Sequence, residues 1–115
     1  MINNRYINKI INEFITNKSN LLISKLTKYL TQGITHDAMK EVSWKIIEDW
    51  EKLNIIDKKS ANDRERAIWA CVFSSIHLCD DEHWNDGCTK ETLAECLDFL
   101  TGNKKIPEKY GEMRP

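Results

Sequence analysis

Apolar residues recur at helical spacing along almost the whole chain, with no run of the strict alternation that marks a strand. Ile2, Tyr6, Ile10 and Phe14 step by four, with Ile7, Ile11 and Ile15 beside them. This predicts one wide amphipathic helix ending near Thr16. Positions 17–20 read as a turn, with Ser19 or Asn20 as N-cap of a second, shorter helix that carries Leu22, Ile23, Leu26, Tyr29 and Leu30. Gly33 stands where a glycine closes a helix. Thr35 or Asp37 caps a third helix, whose buried side is Met39, Val42, Ile46, Trp50 and Leu53, widened by Trp44 and Ile47. After a polar connection over 54–61, Ser60 and Asp63 have the spacing of a capping box. The fourth helix carries Ala67, Ile68, Cys71, Val72, Ser75, Ile76 and Cys79 on one face, the most apolar in the chain, which places it at the centre. Thr89 caps a fifth, with Leu93, Cys96, Leu97 and Leu100 facing inward and Gly102 ending it. The expected fold is all-α: a compact single-domain bundle of about five helices over 1–102, with 103–115 as an extended tail packed on it.

Composition adds bounds rather than a function. The 115 residues fit one domain, and the formal net charge of −1 gives no global field for nucleic acid or a membrane. Arg5, Lys9 and Glu13 interrupt the apolar runs at the start, so no signal-peptide core or membrane span is expected and the protein is placed in the cytoplasm. Cys71, Cys79, Cys88 and Cys96 then read as reduced thiols, those on apolar faces behaving as small hydrophobes.

The charge is segregated along the chain. From Asp80 to Asp98 seven acidic residues face one basic residue, Lys90, while the first thirty residues hold Arg5, Lys9, Lys18, Lys25 and Lys28 against Glu13. The stretch IHLCDDEHWNDGCTKE, from Ile76 to Glu91, concentrates the chemistry. His77, Cys79, His83 and Cys88 are able to bind zinc, but they lack the paired spacing that structural zinc sites use. On a helix, positions 77 and 79 point about 200° apart, so they share an ion only if the helix has already ended. The plainer reading makes Cys79 core and both histidines boundary residues. Asp80, Asp81 and Glu82 beside a histidine have acid/base chemistry, yet no nucleophile–base pair follows from the spacing. No deaminase signature, nucleophile elbow or phosphate-binding loop is present, so no enzyme and no cofactor are implied.

An acidic surface with an aromatic centre remains. Trp84 with Asp80, Asp81, Glu82 and Asp86, and with Glu91 and Glu95 at the rim, suits a basic partner. A solvated helix face that keeps the protein soluble accounts for the same charges. The basic first helix has neither an arginine cluster nor interleaved aromatics, so direct nucleic-acid binding is not expected.

The end of the chain, LAECLDFLTGNKKIPEKYGEMRP, combines a leucine-rich helix, Gly102, the Ile106-Pro107 and Tyr110-Gly111 pairs and a final Arg114-Pro115. It is similar to the tail of small immunity proteins from contact-dependent growth inhibition systems, and RERAIWACVFSSIHL is similar to their central helix. The resemblance covers the last half of the chain; Glu112 and Met113 make the spacing to Arg114 one residue longer than in that pattern. It implies a bacterial cytoplasmic inhibitor that binds and neutralises a cognate toxin domain. Such toxins are frequently nucleases with basic clefts, which an acidic surface could occupy. A small cytosolic helical protein binding zinc or acting in redox chemistry through His77, Cys79, His83 and Cys88 is the alternative.

Overall fold

The computed structural model describes the backbone of residues 4–31, 33–80, 86–111 and 114–115, and the side chains of these except at 4, 77–80, 86–89 and 109. Four α-helices make up this part of the chain: α1 (Asn4–Thr31), α2 (His36–Glu51), α3 (Asp63–Asp80) and α4 (Asp86–Thr101), followed by a 3₁₀ turn at Glu108–Tyr110. The all-helical expectation holds, with four helices rather than about five.

The difference lies at positions 17–20, where α1 runs straight through the expected turn. Polar side chains there find partners instead of breaking the helix. Lys18 Nζ reaches Asp49 on α2 at 2.6 Å. The fully buried Ser19 accepts a hydrogen bond from Arg64 Nε on α3 at 3.3 Å. Ile11, Ile15, Ser19, Leu22 and Leu26 thus form one unbroken buried stripe, with a small residue where α3 comes close. At 1.5 Å per residue, α1 is about 42 Å long, which accounts for most of the 48 Å long axis of the molecule.

α2 starts where its sequence says. Thr35 Oγ1 accepts from the Ala38 amide at 3.1 Å, so Thr35 rather than Asp37 is the cap. Met39, Ile46, Ile47 and Trp50 are buried as expected, but Trp44 is not: it is 48 % exposed. Position 44 lies about 200° round the helix from Ile46, on the solvent side. The cap of α3 is Asn62, whose Oδ1 accepts from the Glu65 amide at 2.9 Å; Ser60, the expected cap, makes no such bond. α3 presents Ala67, Ile68, Cys71, Val72, Ser75 and Ile76 to the interior, all buried, and packs on each of the other three helices. α4 begins at Asp86, one turn earlier than a Thr89 cap predicts, and buries Leu93, Cys96 and Leu100. Gly102 follows with φ +82°, the left-handed backbone that lets the chain leave the helix.

Where α1, α2 and α3 meet, four rings interlock. Phe14 and Trp50 approach edge to face at 5.1 Å, Trp50 and Trp69 at 5.4 Å, and Trp69 stacks on Phe73 at 6.3 Å. Into this cluster comes the tail. Ile106 is buried, and Tyr110 meets Phe99 of α4 edge-on at 5.6 Å. Arg66 of α3 donates to the carbonyls of Gly111 at 2.8 Å and Pro107 at 3.0 Å.

Arg114 goes deepest. It forks onto Glu65, Nε to Oε2 at 2.7 Å and Nη2 to Oε1 at 2.8 Å, and its guanidinium lies 4.7 Å over the Trp50 ring. Its Nη1 and backbone N–H donate to the carbonyls of Asp57 and Lys58. Glu65, wholly excluded from solvent, also accepts from Trp69 Nε1 at 2.8 Å and the Ala61 amide at 2.9 Å. Burial pushes this carboxyl's pKa up, but the bonds from Arg114, Ala61 and Trp69 together outweigh it and hold the group below its usual range.

Two consequences are measurable. Arg114→Ala strands the Glu65 charge and is expected to cost about 3–5 kcal/mol in chemical denaturation; removing both charges in a Glu65→Met, Arg114→Met double variant costs much less than the sum of the two single changes. A carboxyl with a depressed folded-state pKa contributes stability that is present above its unfolded value of about 4.3 and lost as pH falls through the folded value. The midpoint temperature is therefore expected to be level above about pH 5 and to fall in acid. Glu65→Gln starts lower at neutral pH and falls less steeply; equal slopes for variant and parent would disprove the assignment.

Candidate interaction surface

The acidic stretch is distributed over the ends of two helices. Asp80 closes α3 and Asp86 opens α4, their side chains lying outside the described set; Asp81, Glu82 and Trp84 lie outside the described residues. Glu91 is exposed and Glu95 half-buried, one turn apart on α4. Asp98 continues that line and meets Lys104 at 3.7 Å.

Of the zinc-type residues, His77 and Cys79 both stand on the last turn of α3 and Cys88 on the first turn of α4, while His83 lies outside the described residues. Because α3 continues to Asp80, positions 77 and 79 keep their helical divergence of about 200°. Among the described residues no group of three or more His, Cys, Asp or Glu side chains is placed to hold a metal ion. Cys71 and Cys96 are free, buried thiols facing each other between α3 and α4. The bond between the two thiols, together with burial, pushes the Cys71 thiol well above its usual range.

A second acidic surface comes from α2. Asp37, Glu41, Trp44, Glu48 and Glu51 step by four and three along one helix face, and all five are exposed. Four carboxylates thus flank one indole, two on each side. The pattern is visible in the sequence as the complement of the Met39–Ile46–Trp50 stripe, but assigning Trp44 to the buried side hides it. Basic residues interrupt this face: Lys40 stands one turn before Trp44, and Lys45 is 3.3 Å from Asp49 and 4.0 Å from Glu48. Asp49 also holds Lys18, whose bond, with that of Lys45, lowers the Asp49 pKa against the opposing effect of burial.

The start of α2 is held against α3. His36, the first residue of α2, has its Nε2 3.2 Å from the Ser75 carbonyl of α3 and its Nδ1 3.4 Å from the Tyr29 hydroxyl. A carbonyl only accepts, so Nε2 carries the proton. This contact fixes the start of α2, and with it Asp37, beside the C-terminal turns of α3, the end at which Asp80 and Asp86 stand. On α1, Lys18 is engaged by Asp49, so the basic residues of the first helix do not form one continuous array.

In comparisons with protein-family models, with curated proteins and with solved structures, the chain matches none.

Because Glu41 and Glu48 are exposed, Glu41→Lys and Glu48→Lys are each expected to change stability by no more than about 0.5 kcal/mol. Trp44→Ser, at a site 48 % exposed, is expected to cost about 1–2 kcal/mol, well below the roughly 3–5 kcal/mol of a core tryptophan. Thermal melts followed by circular dichroism check this; a large loss at Trp44 would place the indole in the core.

Proposed function

We propose that the chain is an immunity protein that binds a cognate toxin domain and neutralises it, by covering the active site or blocking substrate entry. The toxin that fits best is a nuclease, because a cleft built to hold phosphates is basic. The observation that carries this reading is the exposed face Asp37–Glu41–Trp44–Glu48–Glu51 of α2, whose start is held against the helix on which the acidic 80–95 stretch begins. An indole gives a large anchor at low entropic cost, and carboxylates around it steer a basic partner and reject an acidic one. The likeness of the C-terminal half to immunity proteins of contact-dependent growth inhibition systems points the same way. In this reading the protein acts by binding, in the cytoplasm of the producing bacterium, with no cofactor.

The test begins with capture by the N-terminally tagged protein in the producing cell and identification of a stoichiometric partner by mass spectrometry. A basic toxin domain is expected, and its activity is expected to disappear at equimolar inhibitor. Trp44→Ser with Glu41→Lys and Glu48→Lys is expected to weaken binding by about 10²-fold or more, as is replacement of Trp84 with Asp80, Asp81, Glu82 and Asp86. Affinity also falls as salt rises. Unchanged binding in both sets would end the proposal. One zinc per chain by elemental analysis, lost on replacing His77, Cys79, His83 and Cys88, would establish the metal-binding alternative.

A further inference from the structure

We draw no further inference here: the strongest candidate, the apolar cleft between the first turns of α1 and the connection from α2 to α3, with Tyr6 and Ile56 exposed on its walls, carries nothing because nothing in the structure shows what covers it.

Discussion

The ion pair between Glu65 and Arg114 ties three parts of the chain to one point: the tail, the start of α3 and the connection before it. Glu65 sits in the first turn of α3, where the helix dipole favours a negative charge. It takes two bonds from Arg114, one from Trp69 and one from the Ala61 amide. A buried pair of this kind contributes little net stability, because desolvation of both ions offsets most of their attraction. What it contributes is register. Sliding the tail by one residue would leave a carboxylate and a guanidinium both buried and alone, the most costly arrangement a core can contain. The tail therefore has one docked position. The connection between α2 and α3 shares it, because Arg114 also binds the carbonyls of Asp57 and Lys58.

That shared constraint reaches the surface. Positions 53–60 form no regular element among the described residues apart from an isolated bridge at Lys59, and an irregular segment of this length would ordinarily be mobile. Here it is pinned from beneath by the arginine and at its far end by the capped start of α3, so an exposed isoleucine keeps a fixed place. The same arginine packs on Trp50, whose ring meets Phe14 and Trp69. Core packing, tail docking and the shape of the cleft are thus one problem with one solution, and a change at Arg114 is felt at all three.

Much of this is local and therefore legible in the residues. Thr35 caps α2 because a β-region residue with a side-chain oxygen precedes a helical pattern, and the buried faces of α3 and α4 follow from spacing alone. Three features are not local. The turn expected at 17–20 is absent because Lys18 and Ser19 find partners on α2 and α3, 31 and 45 residues away. The partner of Arg114 is 49 residues away, and no pattern in a proline-containing tail announces it. Trp44 is misplaced by hydrophobicity: an indole between Ser43 and Lys45 invites burial, while the phase set by Ile46 and Trp50 turns it to solvent. The acidic face of α2 was hidden for that reason alone, whereas the acidic stretch around Trp84 was conspicuous because its charges are consecutive in the chain.

The near-zero net charge conceals how the molecule meets its surroundings. At physiological ionic strength a surface charge is felt over about 8 Å, while the long axis of the protein is 48 Å. An approaching partner therefore senses one end or one face and never the sum. The exposed face of α2 presents negative charge, while the cleft between α1 and the connection is lined mainly by apolar side chains, with Asp57 and Lys59 of opposite sign among them. A basic surface is drawn to the α2 face at short range, and charges farther along the molecule are screened from it. The straight run of α1 through positions 17–20, secured by Lys18 and Ser19, holds the two ends of that long axis rigidly apart.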